Sequence, residues 1–87
     1  MVEKTMTIKN EAGLHMRPAG EFAKLATKCT SDVKIIHKDK NVNAKSVLNI
    51  MAAGIKCGDE ITIQCDGDKE AEDLQLLVDA IESGLGE

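Results

Sequence analysis

The sequence predicts an α+β fold: a two-layer, open-faced sandwich with one antiparallel sheet covered on one face by three helices, in the order β-α-β-β-α-β-α. Residues 2–8, 33–37 and 60–65 alternate apolar and polar side chains, as strands with one wet face do. Residues 16–28, 46–53 and the segment after Asp68 instead repeat apolar residues every three or four positions, the spacing of amphipathic helices. Turn formers punctuate these runs, and no linker, repeat or low-complexity stretch divides the 87 residues, so one domain over 1–87 is expected.

Each element follows in order. Val2, Met6 and Ile8 share one face of the first strand, interrupted by Lys4, with Glu3, Thr5 and Thr7 on the other. Asn10-Glu11-Ala12-Gly13 breaks the pattern. Ala19, Phe22, Ala23 and Ala26, with Leu25 and Cys29 on the adjoining row, form the apolar side of a helix from Met16 to about Lys28, its start set by Pro18. Gly20 inside it costs about 1 kcal/mol relative to Ala, so either something approaches the backbone there or the cost is tolerated.

After Thr30-Ser31-Asp32, the second strand runs from Val33 to His37 with Val33 and Ile35 inward. Lys38-Asp39-Lys40 turns it into a short edge strand, Asn41 to Asn43, around Val42. Ser46 stands at the N-cap of a short helix to Ala53, and Gly54 ends it in the left-handed conformation. Glu60 to Cys65 is the clearest strand, with Ile61, Ile63 and Cys65 inward. The last helix is expected to be capped by Asp68, to bury Ala71, Leu74, Leu77, Val78 and Ile81, and to stop at Gly84.

Composition narrows the functions. A chain of 87 residues buries only a little above about 60% of its unfolded surface, so its core must be used efficiently. Phe22 is the only aromatic, which removes the base-stacking platforms of single-strand nucleic-acid binders. A net charge of -4 also argues against nucleic acid as a partner. Cys29, Cys57 and Cys65 are odd in number and lack C-x-x-C spacing, so reduced, buried thiols in a cytoplasmic protein are expected. The longest apolar run, 50–53, excludes direct membrane insertion by a helix. No Gly-rich nucleotide loop, zinc spacing or carboxylate pair accompanies the cysteines.

The chemistry concentrates in Gly13-Leu14-His15-Met16-Arg17-Pro18-Ala19, where an imidazole and a guanidinium meet a helix start. The first turn of a helix carries N–H groups without intrahelical partners and the positive end of the dipole, so it can receive a phosphate. An imidazole attacks phosphorus only when unprotonated, and the positive end of a helix disfavours the imidazolium. Arg17 can add charge-assisted bonds to the oxygens. The same residues also fit a surface histidine, a solvated arginine and a helix-starting proline.

This stretch resembles the active-site signature of the HPr family, the histidine-containing phosphocarriers of the bacterial phosphoenolpyruvate-dependent sugar phosphotransferase system. The resemblance extends along the chain to Ala44-Lys45-Ser46-Val47, Gly54-Ile55, Gly58 before Ile61-Thr62-Ile63, and the final helical segment. It implies strand order 1-4-2-3 and a monomeric carrier that needs neither metal nor organic cofactor, not an enzyme turning over a small substrate. His15 would accept a phosphoryl group on Nδ1 from phosphorylated enzyme I and pass it to IIA domains of sugar transporters, with Arg17 on the phosphoryl oxygens. Ser46 resembles the family's regulatory serine, the target of HPr kinase/phosphorylase in many Gram-positive bacteria. Carriers from bacteria without that kinase also have this serine, and it fits an ordinary N-cap equally well.

Met16, Gly20, Val47, Leu48 and Met51 are candidates for an apolar partner-binding patch around His15, although Val47 and Ile50 also suit the core. Met16 replaces the small residue that many members of the family carry beside the histidine. Lys24 and Lys45 either flank this patch or are solvated charges, and His37 is expected to be structural or solvent-facing. Two other readings keep the fold: a regulatory module docking through the Ser46 region, and a carrier of the nitrogen branch with the same chemistry.

Overall fold

Alternation along the strands becomes rows of buried side chains on one face of a four-stranded sheet. A computed structural model describes residues 1–85, so the last two positions of the expected domain lie outside the described residues. The elements are β1 (Val2–Thr7), α1 (Met16–Lys28), β2 (Asp32–His37), β3 (Lys40–Asn43), α2 (Val47–Ala52), β4 (Glu60–Asp66) and α3 (Glu70–Glu82). The sheet order is β1-β4-β2-β3, with every pair antiparallel, as expected.

Register decides which residues share the inner face. Cys65 pairs with both Val2 and Val33, while Ile35 lies between Ile63 and Val42. Lys4 pairs with Ile63, so the interruption in β1 is a charged residue on the inner side of an edge strand, a device that discourages pairing with another chain. The outer face is polar: the Thr5 and Thr62 hydroxyls lie 2.8 Å apart, and Gln64 Nε2 donates to Glu3 Oε1.

The helices close the other face. α1 buries Pro18, Ala19, Phe22, Ala23 and Ala26, so three alanines keep its backbone close to its neighbours while Phe22 fills the largest space. α2 contributes Ile50, and α3 contributes Leu77, Val78 and Ile81.

Three expectations need correction. The N-cap of α3 is Lys69 rather than Asp68, because the helix starts one residue later; its start is tied by Glu70 Oε1, which accepts from the Gly67 N–H at 3.4 Å. Ala71 is exposed and Leu74 half-buried, because the first turn of α3 meets the rest of the fold through Asp73, bonded to Ser31, and its buried stripe starts at Leu77. Cys57 is exposed in the turn before β4, whereas Cys29 and Cys65 are buried small hydrophobes. Burial pushes the Cys65 thiol up to about 11, which keeps it protonated at neutral pH.

Among the described residues three polar ones are buried, and each has a partner: Asn10, Ser31 and His37. Asn10 Nδ2 donates to the Gly84 carbonyl at 2.9 Å. Ser31 donates to Asp73 Oδ2 twice, from Oγ at 2.6 Å and from its N–H at 3.1 Å, and the hydroxyl bond is the main reason the Asp73 carboxyl lies below the ordinary range. His37 is structural rather than solvent-facing: it is 4% exposed, and its Nε2 lies 2.9 Å from Asp59 Oδ2. Among the described residues no helix is long and apolar enough to cross a membrane.

Candidate functional site

The segment leading to His15 is held by close backbone contacts and by the buried side chains of Asn10 and Leu14. Gly13 takes φ +71°, and a Cβ there would lie 2.3 Å from the Ile55 carbonyl oxygen and 2.8 Å from Lys56 Cα. Only glycine tolerates both the left-handed conformation and that approach. Its N–H donates to the Asn10 carbonyl at 2.9 Å, and the next N–H, of Leu14, donates to the Ile55 carbonyl at 3.0 Å. Leu14 is buried, so the chain is anchored one residue before His15, which is exposed.

His15 has extended backbone and is the N-cap of α1, its carbonyl accepting the first helical bond from the Ala19 N–H at 2.9 Å. Met16 and Arg17 follow as the first two helical residues, both exposed. Their N–H groups belong to the turn without intrahelical acceptors, and Pro18 has no N–H to leave unpaired. No acidic residue lies in that first turn, so its own side chains do not neutralise the positive end of the dipole. Pro18 is the third helical residue and fully buried, so it serves the core as well as the helix start. An imidazole, a guanidinium and a helix start thus share one turn on an open surface, where a second protein can reach them.

α2 packs against α1. Its N-cap is Ser46, half-buried, whose Oγ accepts from the Asn49 N–H at 3.2 Å. Among the described residues the exposed large hydrophobics are Met1, Met16 (69%), Leu48 (79%), Met51 (38%) and Leu76. Met16, Leu48 and Met51 all fall on the α1 start and α2, so exposed apolar surface gathers on these two elements. Val47 is half-buried and packs against the core, which removes most of it from a docking surface; its place in the first turn of a short helix turns it inward with Ile50. Gly20 is half-buried, and among the described residues nothing beyond its own helix lies within 4 Å of a Cβ built on it, so no other element approaches its backbone there. Lys24 and Lys45 are exposed.

Sequence reasoning missed the anchor: Gly13 against Ile55-Lys56, Leu14 as the buried plug, and Asp59 behind them. The only signal was a glycine and an apolar residue directly before the histidine. Among the described residues no group of three or more His, Cys, Asp or Glu side chains is placed to hold a metal ion.

Residues 2–83 match the family model described as the PTS HPr component phosphorylation site. The phosphocarrier protein HPr of Mycoplasma capricolum subsp. capricolum is 43% identical over 77 residues, 88% of this chain and 86% of that protein. The HPr-like protein Crh of Halalkalibacterium halodurans is 39% identical over 82 residues, 94% of this chain and 98% of that one. The crystal structure of HPr-C-His from Thermoanaerobacter tengcongensis superposes with a TM-score of 0.95 at 44% identity, covering 100% of this chain and 98% of the other.

Proposed function

The chain belongs to the HPr family of the phosphotransferase system, and on that premise we propose that it carries a phosphoryl group on His15 from phosphorylated enzyme I to IIA domains of sugar transporters. The observation that carries this reading is an exposed imidazole at the start of α1, anchored from behind by Gly13 and Leu14. The His15 Nδ1 lone pair attacks phosphorus, and the bond from phosphorus to the enzyme I donor breaks with its electron pair returning to the donor. The reverse geometry hands the group on, so the chain itself turns over no small substrate. Arg17 and the first N–H groups of α1 take the phosphoryl oxygens, worth about 1.5–3 kcal/mol per charge-assisted bond. Met16, Leu48 and Met51, with Gly20, Lys24 and Lys45 beside them, form the surface that enzyme I and IIA domains read. The carrier acts as a cytoplasmic monomer, and light scattering at working concentration reporting a dimer would overturn that part.

The similarity to an HPr-like protein Crh supports a second reading, a regulator acting by docking through the Ser46 region, which HPr kinase/phosphorylase would phosphorylate. A phosphate on Ser46 adds roughly two negative charges at a helix start that tolerates them, so it alters docking rather than the fold. The presence of His15 favours the carrier. Incubation with phosphoenolpyruvate and enzyme I, followed by intact mass, tests it: one acid-labile phosphoryl group is expected, absent in His15→Ala. No modification by either the sugar-branch or the nitrogen-branch enzyme I would overturn the carrier reading, and modification by the latter alone would assign the nitrogen branch.

A further inference from the structure

Buried His37 and half-buried Asp59 form a pair that the surface chemistry of His15 does not use. Asp59 Oδ2 is shared: the Lys56 N–H donates to it at 3.0 Å and His37 Nε2 lies 2.9 Å away. These two bonds, the Lys56 one first, hold the Asp59 carboxyl below the ordinary range, so it is ionised at neutral pH and His37 donates. The backbone of the same turn is pinned as well. The Asp59 N–H donates to the Lys56 carbonyl at 3.0 Å, the Gly58 N–H to the Ile8 carbonyl at 2.8 Å, and the Ile8 N–H to the Asp59 carbonyl at 2.9 Å.

The segment so fixed is the one against which the His15 loop rests. Ile55 O and Lys56 Cα are the atoms Gly13 packs on, and Ile55 O also accepts the Leu14 N–H. That contact is backbone to backbone, with no flexible side chain to absorb a shift, and His15 is the next residue. From this geometry we infer that Asp59, backed by His37, is a positioning residue for phosphoryl transfer at His15, acting through Lys56, Ile55 and Gly13. The inference rests on the proposed carrier function. Displacing a reacting atom by a fraction of its diameter is costly in an in-line transfer, so the loss belongs in the rate rather than in partner affinity.

The test measures transfer from phosphorylated enzyme I as kcat and KM for the full chain, with folding checked by circular dichroism and His15 followed by its imidazole resonances. Asp59→Ala is expected to lower kcat roughly tenfold with KM little changed, and to shift the His15 resonances. Asp59→Asn, whose amide oxygen can take the place of Oδ2 and accept from both the Lys56 N–H and the His37 Nε2–H, is expected to recover most of the rate. His37→Phe should move kcat in the same direction by less, and it decides the matter if Asp59→Ala does not fold. A folded variant with wild-type kcat, or a loss confined to KM, overturns the inference while leaving the carrier intact. A wild-type chain that takes no phosphoryl group overturns the carrier reading, and the inference falls with it.

Discussion

The starts of α1 and α2 lie on neighbouring elements and use the same backbone chemistry in opposite ways. At α2 the Ser46 hydroxyl accepts from the Asn49 N–H, so the chain spends a side chain on satisfying its own helix. At α1 His15 makes no side-chain cap bond among the described residues, no acid follows in the first turn, and proline removes one N–H outright. α3 goes further than α2, carrying Glu70, Glu72 and Asp73 in its first turn. The difference teaches that a helix start becomes a candidate reactive site through what the local sequence withholds. A neighbouring loop must then fix the backbone that carries the candidate side chain, and here Gly13 and Leu14 anchor the chain just before His15.

Breaking that hold should have the largest effect. Gly13→Ala forces a side chain into left-handed backbone and into Ile55, costing roughly 2–4 kcal/mol by chemical denaturation and slowing transfer. Arg17→Ala leaves the fold intact, because Arg17 is exposed, and is expected to slow transfer roughly tenfold to a hundredfold; an unchanged rate would remove Arg17 from the chemistry. At the other helix, Ser46→Ala loses a cap worth about 1 kcal/mol with transfer chemistry retained. Ser46→Asp keeps the cap but should weaken enzyme I docking in a titration, and undiminished affinity would argue against a regulatory role. The smallest effect contrasts α3 with both: the Asp73 carboxyl lies below the ordinary 3.8, so it stabilises the fold above that value and the contribution is lost as pH falls through its folded-state value. Thermal midpoints should therefore drop on acidification, and less so in Asp73→Asn.

What was legible in the sequence was local. Strand alternation survives intact because each residue's face is set by its immediate neighbours, and the Ser46 cap and Gly54 stop are equally short-range. Asp68 misled because a turn of several polar residues offers more than one cap, and the choice fell to Glu70 reaching back to Gly67. Contacts between distant residues were invisible: Ser31 with Asp73, His37 with Asp59, and Gly13 with Ile55 each need the fold before they exist. The candidate site divides the same way. His15 and Arg17 could be read from one stretch, whereas the backbone contact that steadies them could not.

The contrast between the two helix starts reduces to where a transferable phosphoryl group resides. The chain is charged with phosphoenolpyruvate and enzyme I, freed of both, and mixed with a IIA domain while peptide mass spectrometry at neutral pH follows His15 and Ser46. The expected result is loss of the group from His15 in step with its appearance on the IIA domain, with Ser46 unmodified throughout. A group found on Ser46, or one that stays on His15 in the presence of every IIA domain offered, would contradict it.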